Sequence, residues 1–300
     1  MTDYRRIFCM LSAFIFLSLG CVSCSPDKKV SKEDDISDLI KTMISSRDIE
    51  AQKEAATALE NIVISENGIG KVVEQLTNED ADIRKDTAVL LGVIFRAEWI
   101  DYDKRLEIIP NIVNALNDED ASVRQMACSA LGDLIFSELL RGNSSPLGSA
   151  NDQVVSAIGK LLNDNDPDVR VKAANNLAYL GPLAKSESVT LQLMLKDEDF
   201  LVRLSAACSL AKIGSFNQDA LPVLIEGLKT KKTDYENRIL PNIDWIYPSD
   251  IRVTSAIALG LVGPNAKSSL PELYSLLNDT DEKVRTKAAE AIAAIEQEVQ

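Results

Sequence analysis

The sequence predicts an all-α fold, a solenoid of about seven helical hairpins. Three observations predict it. One short pattern recurs: Asp, two residues, Val or Ile, Arg, two residues, a pair of small residues, then Leu or Ile three places on. The pattern keeps helical spacing within each copy, so its apolar members share one face. Alanine and leucine fill the periodic positions, while aromatics make up only 5% of 300 residues, a composition suited to thin, closely packed helices. Repetition at this period marks small units that bury a shared core by stacking.

The amino terminus stands outside the repeats. Arg5 and Arg6 precede an apolar run from Ile7 to Gly20. That run is shorter than the roughly 20 residues needed to span a bilayer, and it fits the core of a secretory signal. Leu17-Ser18-Leu19-Gly20-Cys21 follows, then Val22-Ser23-Cys24. The arrangement resembles a bacterial lipoprotein signal, which implies lipid modification at Cys21 or, as the second candidate, at Cys24. Residues 1–20 are thus read as a signal peptide and 21–35 as a polar tether. Residues 36–300 are read as the solenoid.

Clear copies of the pattern start at Asp80, Asp120, Asp166, Asp199 and Asp281, and a sixth starts at Pro248 without its Asp. The arginines are Arg84, Arg124, Arg170, Arg203, Arg252 and Arg285, spaced 40, 46, 33, 49 and 33 residues apart. A degenerate unit fits Ile36–Ile64, with Gln52 in the Arg place. Each copy reads as a second helix whose Asp accepts hydrogen bonds from free N–H groups at its start. First helices open on Pro110, Pro222 and Pro271, where a missing N–H costs nothing. Second helices end at Gly181-Pro182 and Gly263-Pro264, a left-handed stop followed by a residue that cannot continue the helix. Because Asp and Arg recur in nearly every unit, they are read as a structural ladder. Each Asp caps a helix and each Arg pairs with a neighbouring turn carboxylate.

These residues resemble HEAT repeats, in particular the short HEAT-like type of the phycobiliprotein lyases, over roughly residues 36–298. The resemblance implies a right-handed superhelix of the armadillo/HEAT kind, with second helices on the concave side. It implies no single function, since fold alone does not fix one.

Three places break the period. The first runs from Phe95 through Trp99 to Tyr102 and Asp103. The second is Arg141–Ser149, read as a flexible polar loop from its Gly, Ser and Pro content. The third is Lys229–Tyr247, with Tyr235, Trp245 and Tyr247. Insert aromatics either anchor a partner or cover apolar helix faces. Outward members of the second helices, namely Lys85, Gln125, Lys172, Asn175, Asn176 and Lys287, are the candidate partner-binding positions, together with Trp99, Tyr102, Tyr235, Trp245 and Tyr247.

The sequence holds no histidine, which removes Ser-His and Cys-His nucleophiles and the commonest imidazole metal ligand. There is no phosphate loop, catalytic CxxC or GxSxG. The acidic run Asn163–Asp168 has Val169 and Asn175 where a calcium loop needs Gly and Glu. Cys128 and Cys208 lie two repeats apart, too far for a disulfide, and read as small buried residues. The formal charge is −14, which argues against nucleic acid and anionic lipid as partners. No catalytic residue, metal or cofactor is expected. The reading is an exported, lipid-anchored, non-enzymatic scaffold in a bacterial cell envelope, touching the membrane through its lipid and holding one or more proteins. The alternative is a lyase-like or assembly factor for a cofactor or chromophore-bearing protein.

Overall fold

The computed structural model describes residues 35–65, 67–97, 99–230 and 251–297. Every secondary-structure element among them is helical, and the helices fall into two units divided after Ser144. The first unit holds α1 (Ile36–Ser45), α2 (Ile49–Ile64), α3 (Gly68–Glu74), α4 (Ala81–Ala97), α5 (Tyr102–Glu107), α6 (Ile109–Ala115) and α7 (Ala121–Leu140). The second holds α8 (Asn151–Leu161), α9 (Pro167–Leu180), α10 (Ser188–Met194), α11 (Phe200–Lys212), α12 (Leu221–Lys229), α13 (Ile251–Val262), α14 (Leu270–Leu276) and α15 (Glu282–Glu296). With α5 as an insert, these make three hairpins in the first unit and four in the second.

First helices are short. α3, α6, α10 and α14 have seven residues each, well under the roughly 12–15 an isolated helix needs in water. They persist because one face is buried: Ile109 and Ile112 of α6 and Leu191 of α10 are inaccessible to solvent. Each such side chain contributes about 1.5–3 kcal/mol on burial. Proline opens α6, α12 and α14. Gly181 and Gly263 have φ of 56° and 64°, the left-handed stop that only glycine adopts without strain.

Second helices stack on one another. In the first unit α4 packs along α7; in the second, α9 packs on α11, α11 on α13 and α13 on α15. The small pairs make this close. At Gly260 of α13 an added Cβ would stand 3.3 Å from the Ala291 Cα of α15. Ser209 Oγ of α11 lies 2.7 Å from the Ala174 carbonyl of α9.

A single hydrogen-bonding unit recurs at the turns between first and second helices. Asp120, Asp166 and Asp199 each cap two N–H groups of the following helix, and Asp80 and Asp281 each cap one. Two places earlier stands another acceptor: Asn78, Asp118, Asp164, Asp197 or Asp279. Its side chain takes the N–H of the capping residue at 2.9 Å. The arginine six places beyond that acceptor folds back, and its Nη1 donates to the two carbonyls opening the turn, as Arg84 does to Asn78 and Glu79. Arg124, Arg170, Arg203 and Arg285 repeat this geometry.

The rest of the guanidinium reaches the next hairpin. Arg84 Nε and Nη2 grip both oxygens of Asp118 at 2.7 and 2.9 Å. Arg170 Nη2 donates to Asp197 Oδ1 at 2.9 Å, and Arg252 Nη1 donates to Asp279 Oδ2. Arg203 is the loose rung, 3.6 Å from the half-exposed Glu226. A bidentate, largely desolvated pair is stronger and more directional than an exposed one.

The amino-terminal hairpin departs from the sequence expectation. Its motif lies on α2, yet α1 is the helix that packs on α4, while α2 packs on α1 and α3. Ser37 Oγ donates to Gln75 Oε1, which also accepts from Asn78 Nδ2. Gln52 Nε2 reaches the Ser46 carbonyl at 2.9 Å, the backbone contact an arginine would make. A carboxamide is too short to extend to the next hairpin as well.

Two inserts also differ from expectation. Phe95–Ala97 continue α4, and Phe95 is fully buried. The true insert centres on α5, pinned by Arg105, whose Nε donates to the Ile100 carbonyl and whose Nη1 donates to Glu138 Oε1 at 2.8 Å. Arg141 Nη1 donates to the same oxygen. The second insert is tied down by buried Leu147 and by Asn151, whose Nδ2 faces Ser145 Oγ and the Gly148 carbonyl. Most of the third insert, including Tyr235, Trp245 and Tyr247, lies outside the described residues.

The rungs predict unequal losses. Asp118→Ala should cost about 3 kcal/mol in urea unfolding, because it strands a nearly buried guanidinium. Glu226→Ala should cost under about 1 kcal/mol. Equal losses would contradict the ladder geometry.

Candidate functional site

Among the described residues, a groove of about 450 Å³ lies in the first unit. It runs between the 3-10 turn Gln75–Thr77, which continues α3, and helix α6. Val73, Leu76 and Ala115 form an apolar floor. Asn111 and Asn114 on α6 and Asn117 in the turn after it stand exposed and form one wall, with Thr77 and Asn78 on the other side. The bidentate rung Arg84–Asp118 lines the groove beside Glu119.

That rung is electrostatically settled. Arg84 and Asp118 are each about 10% exposed, whereas the Glu119 side chain is 93% exposed and 3.8 Å from Arg84 Nη2. Burial pushes the Asp118 carboxyl upward, but hydrogen bonds from Arg84 and from the Asp120 N–H outweigh it and hold the carboxyl below the usual range. The hydrogen bond to Asp118 holds the Arg84 guanidinium above its usual range. The lining therefore carries an excess negative charge, since the exposed Glu119 carboxylate pairs only loosely with Arg84, at 3.8 Å.

The positions expected from sequence do not assemble into a site. Lys172, Asn175 and Asn176, expected to point outward from a second helix, are buried at 4%, 6% and 5% exposure. The cause is the close approach of second helices: small pairs bring neighbours so near that residues one or two places round the helix are covered too. Lys85 pairs with Asp82, and Lys287 with Glu290; both lysines are half-buried, as are Gln125, Trp99 and Tyr102. Cys21 and Cys24 lie outside the described residues.

Other reactive groups serve the fold. Cys128 and Cys208 are buried and form no disulfide. Burial pushes the Cys208 thiol up to about 12 and pushes the Lys212 ammonium down, and Lys212 lies over the Tyr179 ring, 5.6 Å from its centre. In the run Asn163–Asp168, Asp164 and Asp166 both accept backbone N–H bonds. No group of three metal-ligating side chains occurs among the described residues. Asp86 is the strained exception: 2% exposed, its Oδ1 lacks a hydrogen bond, and its nearest cation is Lys85 at 3.7 Å. Burial raises its carboxyl above the usual range.

With hairpins, ladder and groove in view, family comparison decides the repeat type. A HEAT repeats model matches residues 155–239, and a HEAT repeat model matches 108–137 and 270–298. The hairpins within those three segments match HEAT repeats. The chain is 26% identical over 268 residues to "Protein VAC14 homolog" of Arabidopsis thaliana, a match covering 85% of this chain but only 31% of that relative. The karyopherin Kap121p, bound to the extreme C-terminus of the protein phosphatase Cdc14p, superposes with TM-score 0.56 at 15% identity, over 95% of this chain and 29% of that one. An engineered protein superposes with TM-score 0.53 at 22% identity, over 87% of this chain and 68% of its own. These two likenesses fix the fold, a HEAT/armadillo-type α-solenoid.

The groove escaped sequence reading. Its signal was present, since Asn111, Asn114 and Asn117 stand nine, six and three places before the capping Asp120. At the same places α8 has Ala157, Lys160 and Asn163, and α10 has Thr190, Leu193 and Lys196.

Two carboxyls predict opposite pH effects. Asp118, held low in the folded state, gives stability that is present above the unfolded value of roughly 3.9 and lost as pH falls through its depressed value. Asp86, held high, costs stability that builds as pH rises from about 3.9 and is complete above its raised value. Urea midpoints should show Asp118→Asn destabilising at pH 7 and Asp86→Asn stabilising there, with both effects shrinking toward pH 3. Cys208 should resist alkylation at pH 8 until the chain unfolds.

Proposed function

We propose that this chain is a non-enzymatic scaffold that holds a protein partner. The observation that carries the reading is the polar groove set between two hairpins locked by Arg84 and Asp118. A groove with fixed walls keeps its shape before a partner arrives, which lowers the ordering cost of binding. The repeated ionisable residues are taken up by caps and rungs, which supports a binding role over chemistry.

Export and anchoring complete the proposal. Arg5 and Arg6, the apolar run Ile7–Gly20 and the cysteines behind it support secretion and lipid attachment at Cys21 or Cys24. The proposed place is a bacterial cell envelope, with the polar stretch to Asp35 as tether. No helix among the described residues is long and apolar enough to cross a membrane.

Two measurements test the reading. Mass spectrometry of the mature amino terminus should find a lipid-modified cysteine at 21 or 24; an unprocessed Met1 would reject the anchor. Cross-linked affinity purification from membranes should recover the chain with a stoichiometric partner, and repeated recovery of the chain alone would reject the scaffold.

A further inference from the structure

We infer that the exposed face of α15, the final second helix among the described residues, seats a helical hairpin of a partner protein whose inter-helix turn carries an aspartate. The inference rests on the scaffold reading and names the kind of partner the scaffold holds. Its basis is that α15 repeats, in the open, the surface that α9, α11 and α13 use to hold their successors.

The first part of that surface is the arginine fork. Arg84 and Arg170 each turn Nε and Nη2 toward the two oxygens of the aspartate in the next hairpin's turn, and Arg252 donates to Asp279. Arg285 makes only the inward half of the contact, its Nη1 donating to the Asp279 and Thr280 carbonyls at 2.7 and 3.1 Å. Its Nε and Nη2 have no acceptor among the described residues. A planar guanidinium fork matches a carboxylate in both charge and shape, so the three occupied rungs define what the open one takes.

The second part is a pair of small residues four and eight places after the arginine. They are Ala174 and Ala178 on α9, Ala207 and Ala211 on α11, and Ala256 and Gly260 on α13. The following helix sets a small residue of its own against the pair. Ser209 Oγ donates to the Ala174 carbonyl, and a Cβ added at Gly260 would lie 3.3 Å from the Ala291 Cα. Ala174, Ala207 and Ala256 are fully buried. On α15 the same two places hold Ala289 and Ala293, and both are exposed.

Fork and small pair together specify the occupant. Asp118, Asp197 and Asp279 each stand twelve places before the small residue that meets the preceding second helix, namely Ala130, Ser209 and Ala291. The partner hairpin therefore carries an aspartate in its turn and a small residue twelve places on. Where α13 has Val253 and Ile257, α15 has exposed Thr286 and Glu290, so the face stands in water until it is occupied. A second copy of this chain fits less well. Its first hairpin has Ser46 in the aspartate's place, and Ser46 Oγ already accepts the Asp48 N–H, so the fork would meet no charge.

The test uses the full chain with a photoreactive benzoyl-phenylalanine replacing Glu290, expressed in the cells that make it. Cross-linked peptides should map to one helical hairpin of a partner, with an aspartate twelve places before a small residue. Binding of that purified partner should weaken about 10-fold or more with Arg285→Gln and with Ala293→Leu, which fills the seat. Changing the partner's aspartate to asparagine should cause a similar loss, and should add little once Arg285→Gln is present. Gln52 already makes the turn contact with its carboxamide, so Arg285→Gln should fold, as circular dichroism checks. The inference is overturned by cross-links to a second copy alone, by no cross-link, or by a partner that binds Arg285→Gln as tightly as wild type. Partners recovered from membranes equally by wild type and Ala293→Leu would overturn the assignment of this face and leave the scaffold standing. Failure of wild type to recover any partner would overturn the scaffold itself, and this inference with it.

Discussion

The fold depends on one interaction, an arginine of the second helix closing two gaps with one side chain, as Arg84 and Arg170 do. Its Nη1 satisfies carbonyls of its own turn, which a tight turn leaves without intrahelical partners. Its remaining nitrogens cross to the acidic turn of the next hairpin, as Arg84 does to Asp118. Lysine could not do both, because a point charge on a flexible stem lacks the fork. Local turn formation and longer-range stacking thus share a residue, so a hairpin that forms its turn correctly is also oriented to receive its neighbour.

The same grammar explains the charge. Four turns carry aspartate at both acceptor positions and one arginine six places beyond the first, so each leaves a net charge of −1. Part of the acidity read from composition is therefore the by-product of helix capping repeated along a solenoid. Acidity alone says little about partners here; the Glu119 carboxylate, exposed at the groove, pairs only loosely with Arg84.

The repeats were legible because stacking demands the same residues each time. The Asp, the Val, the Arg and the small pair announce their roles through period alone. Legibility failed where geometry depends on which neighbour lies alongside. Nothing local distinguishes the α1–α2 hairpin as one that would place its first helix on α4. Lys172, Asn175 and Asn176 occupy places on a helical wheel that face outward on an isolated hairpin. Their burial follows from helix separation, which the small pairs set jointly. Arg105 and Glu138 are 33 residues apart with no pattern linking them, so the pinning of α5 had no sequence signature.

This division bears on where function resides. Positions that stacking dictates are fixed by neighbours and repeat along the chain, so they cannot distinguish one partner from another. The outer face of a first helix is under less demand: nine and six places before the capping Asp stand Asn111 and Asn114, Ala157 and Lys160, Thr190 and Leu193, and Glu272 and Ser275, whereas three places before it asparagine recurs as Asn117, Asn163 and Asn278. The two carboxamides Asn111 and Asn114 on α6 are not explained by the repeat. They line a cleft beside the bidentate rung of the first unit, so the variable surface is set against the least yielding part of the ladder. In a solenoid, that combination of a place free to vary and a support that stays put is what a specific binding site requires.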